Sequence, residues 1–280
     1  MHKIPVDLIK QSLEEDGAFA DITTLSTVSA DRWSTGTIIA RQAGVVAGLA
    51  VAAETFRVFD ERISIKLLVE DGASVEVGDE LLHLQGPAQS LLSAERVALN
   101  FLGHLSGIAT ITAYCARVLE GKQTRILDTR KTTPGLRSLE KMAVQLGGGQ
   151  NHRFGLSDGI LIKDNHIKAA GGITQAVAAA RHVAPHLLKI EVECETLAEV
   201  QEAVACSADV VLLDNMTIEM MREAVEFIRQ SAPHMLIEAS GSIGTNTDRL
   251  LAIAATGVDF ISLGALTHSA PRFDVSLEFV

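Results

Sequence analysis

Beyond residue 121 this 280-residue chain repeats one rhythm six times: a short apolar, β-branched run, a turn, then a helix-like stretch. The runs are RILDT, GILIK, LKIEVEC, DVVLLD, LIEAS and DFISLG, and the stretches between them include TLAEVQEAVAC, TIEMMREAVEFIRQ and TNTDRLLAIAAT. Strands separated by whole helices do not form tight hairpins; they pair in parallel through crossover helices. Six strands are too few for an eight-stranded barrel, so an irregular, open α/β barrel or a doubly wound layer is expected. In either arrangement ligands bind at the C-terminal edge of the strands. Asp128, Lys163, Glu193, Asp214, Ser240 and Gly264 each fall at or just past such an end, and six polar or small residues in phase point to a site.

The earlier part reads as a small α+β domain. A helix-like start over 6–15 leads to DITT, then to the alternating stretches TGTIIARQ and ISIKLLVEDG with an alanine-rich helical pattern between them. VEDGASVEVGDELLHLQG is expected to be a plain hairpin, because no lysine occupies its turn as a lipoyl or biotinyl carrier requires. Over 88–120 the residues Leu91, Leu92, Ala94, Val97, Ala98, Phe101, Leu102 and Leu105 recur at helical spacing, and a second helix is expected from Ile108. Arg96, Asn100 and His104 lie four apart on one stripe, readable as a solvated face or as part of a site.

Charge narrows the ligand. Between Asp128 and His166 six cations (Arg130, Lys131, Arg137, Lys141, Arg153, Lys163) stand against four carboxylates, a local charge of +2 in a chain of −11. The remainder therefore carries −13, so positive charge is concentrated where the strand ends converge, and an anion with several charged groups is expected there. A pI near 5.3 and the lack of a long basic run argue against nucleic acid or an anionic membrane as partner. The N-terminal stretch has acidic residues where a signal peptide needs an apolar core, and ITQAVAAARHVA and LLAIAATGVDF fall short of a membrane span, so a cytoplasmic location is expected. Cys115, Cys194 and Cys206 show no metal or disulfide spacing and read as reduced thiols.

Single residues add chemistry. Arg130 and Lys131, directly after a strand, can clamp a carboxylate or phosphate, and Thr129 shares their loop. Ser138 is placed as the N-cap of LEKMAVQL, and Gly147, Gly148 and Gly149 as its C-cap and a mobile loop. His152 beside Arg153 is expected to be neutral and to orient substrate. Lys163 can bind an anion or form a Schiff base. In LKIEVECETL, alternation puts Lys189, Glu191, Glu193 and Glu195 on one face, and Glu193 with Asp214 suits Mg²⁺. SGSIG from Ser240, with Gly241 and Ser242, and SLG (Ser262, Leu263, Gly264) open turns whose backbone N–H groups suit a phosphate.

These residues resemble the quinolinate phosphoribosyltransferase (carboxylating nicotinate-nucleotide pyrophosphorylase) family over nearly the whole chain. The resemblance rests on DTRKTTPGLRSLEKMAVQLGGGQNHRFGLSDGILIKDNH, with DITT, SAERVALNFLGHLSGIAT, IEVECETL, VVLLDNM and EASGSI in support. It implies an N-terminal α+β sandwich domain over 1–105 and an irregular α/β-barrel phosphoribosyltransferase domain over 106–280, the C-terminal tail packing back on the first. It implies a homodimer, or a higher homo-oligomer, in which each barrel mouth faces the partner's N-terminal domain and Arg96 reaches across. The implied reaction of NAD biosynthesis is Mg²⁺-dependent: quinolinate and phosphoribosyl pyrophosphate give nicotinate mononucleotide, pyrophosphate and CO₂. Arg130, His152 and Arg153 would then surround the quinolinate carboxylates with Lys131 and Lys163 beside them. Glu193 and Asp214 would serve the ribose and the metal, directly or through water, and the SGS and SLG loops would hold the 5′-phosphate. Lys163, or else Lys131, would return the proton after decarboxylation. The alternatives are an aldolase-like barrel using Lys163 as a Schiff-base nucleophile and a divergent paralogue of the same fold that binds without this chemistry.

Overall fold

The computed structural model describes residues 4–279 and divides into two compact units. One comprises Met1–Ala113, Thr133–Gly148 and Ser269–Val280; the other comprises Tyr114–Thr132 and Gly149–His268.

In chain order the first stretch contains α1 (Val6–Glu15), a 3₁₀ turn (Ala18–Ala20), α2 (Ile22–Thr27), β1 (Trp33–Ala40), β2 (Gly44–Val45), α3 (Leu49–Phe59), β3 (Ser64–Leu67), β4 (Ser74–Val75), β5 (Glu80–Pro87) and α4 (Ala88–Val118). There follow β6 (Arg125–Leu127), α5 (Arg137–Leu146), β7 (Ile160–Ile162), α6 (Asp164–Ala170), α7 (Ile173–Val183), β8 (Ile190–Cys194) and α8 (Leu197–Ala205). The chain closes with β9 (Val210–Asp214), α9 (Ile218–Ser231), β10 (Leu236–Ser240), α10 (Thr247–Ala254), β11 (Phe260–Ser262), α11 (Ala265–His268) and β12 (Val275–Phe279).

The first unit is built on an antiparallel sheet in the order β12-β1-β5-β3. β1 alternates buried and part-exposed residues from Gly36 onward, the pattern of a strand with one face on a core. Two expectations are corrected here. VEDGASVEVGDELLHLQG is not a plain hairpin: β4 pairs with β2 (Gly44↔Val75, Val45↔Ser74), and β5 pairs with β1 and β3. No second helix starts at Ile108, because α4 runs unbroken over 31 residues. Leu91, Ala94, Val97, Ala98, Phe101, Leu102, Leu105, Ile108 and Ala109 form one buried stripe that continues past that point. α4 is long and apolar enough to cross a membrane, yet 67% of its most apolar window is buried inside the protein, as a core helix requires.

α5 begins at Arg137 with Leu136 as N-cap, so Ser138 lies inside the helix instead of capping it. The reason is Glu140, whose buried carboxylate accepts from the Thr133 backbone N–H at 3.1 Å and meets His104 Nε2 at 2.8 Å. Gly147 ends the helix as its C-cap. A Cβ there would come within 2.4 Å of the Ala109 carbonyl oxygen on α4, so only glycine permits this close approach.

The second unit is the six-stranded parallel sheet β6-β11-β10-β9-β8-β7, one strand from each apolar run. The first two strands in sequence lie at opposite edges. Beyond β6 only an isolated bridge, Leu127↔Gln150, extends the ladder, and among the described residues no pairing joins it to β7. The result is an irregular, open α/β barrel. Its helices start cleanly: Thr196 and Glu199 form a capping box on α8, and Thr217 and Asn246 cap α9 and α10.

Candidate active site

The C-terminal ends of these strands surround a cavity of about 750 Å³ within the second unit. Thr129, Arg130, Lys131, His152, Arg153, Lys163, Glu193, Asp214, Ser240, Gly241, Ser242, Ser262, Leu263 and Gly264 all line it, bringing together every site residue expected from the sequence except Arg96 and Asp128. Arg96 is on α4 with an exposed guanidinium 4.0 Å from Glu95. Asp128 does not line the cavity; it is buried behind it and accepts from the His152 backbone N–H at 2.9 Å.

Arg130 and Arg153 stand near each other on the cationic side. Burial depresses the affinity of Arg153 for its proton, the Arg130 charge adds to that, and Glu191 and Asp158 oppose it. Two guanidiniums in mutual repulsion form a place where an anion gains from both. Arg153 Nη1 donates to the Gly159 carbonyl at 2.9 Å, while its Nε is buried with no hydrogen-bond partner among the described residues. The Arg130–Lys131 loop is held at both ends: Lys131 N–H donates to Thr129 Oγ1 at 3.0 Å, and the Thr267 hydroxyl donates to the Lys131 carbonyl at 2.8 Å.

Lys163, one residue past β7, is ion-paired with Glu193 of β8. Asp214 ends β9 and accepts from the Asn215 side-chain amide at 2.7 Å. Asn215 adopts a left-handed backbone, φ 53°, and its Oδ1 also accepts from Ser242 N–H at 3.0 Å. It thereby ties the β9 end to the SGS loop. Gly241 in that loop has φ 114°, and a Cβ would lie 2.4 Å from Asn215 Oδ1, so the turn admits only glycine. Two of the backbone N–H groups expected to face a phosphate are already used: Ser242 N–H by Asn215, and Leu263 N–H by the Leu127 carbonyl at 2.9 Å.

His152 is placed differently from a residue with a free ring nitrogen. Its Nδ1 accepts from the Arg153 backbone N–H at 2.7 Å, so the proton resides on Nε2, which faces Glu191 Oε2 at 3.1 Å and Glu238 Oε2 at 3.5 Å. Glu191 and Glu238 escaped sequence reasoning as site residues, as did Asn215. Strand alternation sets Glu191 on the face of Glu193 and Glu238 on that of Ser240, but only the assembled sheet brings the two carboxylates to His152. His152, Glu191 and Glu238 are also the cluster of metal-ligand type found among the described residues. Glu193, which is ion-paired with Lys163, and Asp214 both line the mouth as carboxylates, oxygen donors of the kind Mg²⁺ takes.

Comparison with known proteins gives a consistent result. The chain matches the quinolinate phosphoribosyl transferase N-terminal domain over residues 21–106 and the C-terminal domain over residues 108–278. It is 44% identical over 271 residues to a probable nicotinate-nucleotide pyrophosphorylase [carboxylating] of Bacillus subtilis, covering 97% of this chain and 92% of that one. It is 43% identical over 277 residues to the nicotinate-nucleotide pyrophosphorylase [carboxylating] of Mycobacterium leprae, covering 97% and 96%. Among solved structures, the nicotinate-nucleotide pyrophosphorylase of Francisella tularensis superposes with a TM-score of 0.92 at 40% identity, over 100% of this chain and 98% of that one.

Proposed function

The chain belongs to the quinolinate phosphoribosyltransferase family, and from that premise we propose that the barrel mouth seats quinolinate against Arg130 and Arg153 and phosphoribosyl pyrophosphate against the opposite strand ends. The reaction transfers phosphoribosyl to quinolinate and removes CO₂, yielding nicotinate mononucleotide and pyrophosphate for NAD biosynthesis. The observation that carries the placement is the pair of neighbouring, mutually repelling guanidiniums that line the mouth. A dianion with two carboxylates on adjacent ring carbons satisfies such a pair; a neutral aldehyde, the substrate of the aldolase-like alternative, does not.

The residues divide the work by charge. Arg130 and Arg153 hold the carboxylates, with His152 as the wall behind them and Lys131 and Lys163 beside them. The pyridine nitrogen attacks the anomeric carbon while the carbon–oxygen bond to pyrophosphate breaks, and positive charge builds on the ribose. Glu193 and Asp214 face that charge and stabilise it. Their oxygens would also hold Mg²⁺, directly or through water, which when bound neutralises charge on the leaving pyrophosphate. Ser240, Gly241, Ser242, Ser262, Leu263 and Gly264 form the phosphate end, through whichever donors the Asn215 and Leu127 contacts leave to them. Once the ring nitrogen is alkylated, the adjacent carbon can release its carboxylate as CO₂ and keep the electron pair. Lys163 then returns a proton to that carbon, with Lys131 the second choice.

The reading includes a homodimer in which Arg96 reaches the partner's mouth. It also includes a cytoplasmic location, supported by three cysteines that form no disulfide. Turnover with phosphoribosyl pyrophosphate and Mg²⁺ tests it, with quinolinate in one assay and nicotinate in another. Nicotinate mononucleotide and CO₂ from quinolinate alone is the expected result. Comparable turnover of nicotinate would mean that the mouth does not require two carboxylates.

A further inference from the structure

The wall behind the arginines needs bracing. His152 and Arg153 line the mouth on one side and a second cavity of about 480 Å³ on the other, where Glu191, Asp158 and Lys189 also contribute. A segment with space on both sides has few packing neighbours, so hydrogen bonds must fix it. Those bonds run in one chain: Asp128 accepts from His152 N–H, His152 Nδ1 accepts from Arg153 N–H, and His152 Nε2–H points at Glu191 and Glu238.

At the end of that chain is an electrostatic conflict. Glu238 is 2% exposed and Glu191 8%, and their ligand-type oxygens and His152 Nε2 all lie within 4.8 Å of one another. With Nδ1 accepting, the imidazole is neutral, so two ionised carboxylates would have only the His152 N–H and the Ser262 hydroxyl between them, away from water. Such a pair keeps one proton between them. Glu191 Oε1 and Glu238 Oε1 are both buried without a hydrogen-bond partner among the described residues, and a shared acid proton is what would satisfy them. Burial first, and the Glu191 charge second, push the Glu238 carboxyl well above the ordinary range, the Ser262 hydroxyl acting in the opposite sense. A divalent cation on the same three groups fits worse. It would need the Nε2 lone pair and so a proton on Nδ1, where the Arg153 N–H already donates.

We propose that Glu238, acting as a neutral acid through Glu191 and His152, is a positioning residue that presets the Arg153 side of the dicarboxylate clamp and so sets selectivity for a substrate with two adjacent carboxylates. The inference rests on the placement of quinolinate proposed above. A preset clamp penalises a monocarboxylate, which leaves one half-buried guanidinium uncompensated; a loosened clamp loses that penalty along with quinolinate affinity.

The test compares Glu238→Gln, Glu238→Leu and Arg153→Ala in the full-length protein under saturating Mg²⁺, with KM measured separately for quinolinate and phosphoribosyl pyrophosphate. Glutamine donates and accepts much as a neutral acid does, so E238Q should keep the quinolinate KM within about twofold of the parent, whereas E238L should raise it about tenfold. The phosphoribosyl pyrophosphate KM should stay unchanged in both. If R153A leaves the quinolinate KM unaltered, the placement of quinolinate is wrong and the inference falls with it. If R153A raises it and E238L does not, or E238Q is as impaired as E238L, the inference alone is overturned. Should E238L fail to fold, nitrogen NMR on the unmodified protein decides. His152 with its proton on Nε2 and a bare Nδ1 is expected; a proton on Nδ1 would contradict the proposal.

Discussion

At the scale of single residues the account makes energetic claims. Arg153→Ala removes a guanidinium that is partly withdrawn from water, and quinolinate binding should weaken by roughly 2–5 kcal/mol if the pair is desolvated in the complex; calorimetry of quinolinate binding reads this directly. Glu238 adds a pH dependence. Burial, and the Glu191 charge after it, hold its carboxyl well above the ordinary range in the folded chain, so the neutral form's contribution to stability is fully present below the ordinary carboxyl range and is lost progressively as pH rises from there through the raised value. Thermal unfolding should therefore show a larger fall in Tm between pH 5 and pH 8 for the parent than for E238Q, and identical slopes would remove Glu238 as the cause. Burial also pushes the Cys115 thiol up to about 11 and Cys194 higher still. Neither should react with a thiol reagent in the native protein at pH 8, while Cys206, part-exposed, reacts first.

What the sequence revealed at this scale followed from phase. Lys163, Glu193, Asp214, Ser240 and Gly264 could be placed because each follows a run of apolar residues whose C-terminal end is a fixed location in a parallel sheet. Glu238 could not, since a lone carboxylate inside LIEAS has no meaning until Glu191 and His152, from other strands and loops, are set beside it. Asn215 was hidden for a related reason. Its left-handed backbone and its double grip on Asp214 and Ser242 are tertiary facts.

At the scale of elements, the strands and crossover helices of the barrel were legible from period alone, and all six runs became strands. The errors fell where one element answers to a distant one. The β4 segment pairs with β2, a partner from a different part of the chain, so the glycine turns flanking it looked like a local hairpin. Ser138 lost its capping role because Glu140, anchored by His104, takes the Thr133 N–H and lets α5 start two residues earlier. Two glycine substitutions test these joints. Gly147→Ala puts a methyl against α4 and should destabilise by about 1–3 kcal/mol in urea unfolding. Gly241→Ala forces the SGS turn off Asn215 and should raise the KM for phosphoribosyl pyrophosphate while quinolinate affinity is retained; equal loss of both would show that the turn serves the whole mouth.

At the scale of the whole molecule the open question is whether one chain completes its own site. Arg96, expected from the sequence among the carboxylate ligands, does not line the mouth formed by the strand ends. If a second copy supplies it, mixing inactive Arg96→Ala chains with inactive Lys163→Ala chains should restore activity, since a hybrid dimer holds one mouth with both residues intact. Absence of recovery, with subunit exchange demonstrated, would show that the mouth does not depend on a partner's Arg96. The most direct measurement of the central claim is a crystal structure with quinolinate bound. The account predicts both carboxylates against the Arg130 and Arg153 guanidiniums, with the ring nitrogen turned toward Glu193, Asp214 and the SGS loop. Quinolinate bound at the phosphate end, or with its carboxylates on Lys131 and Lys163 alone, would contradict it.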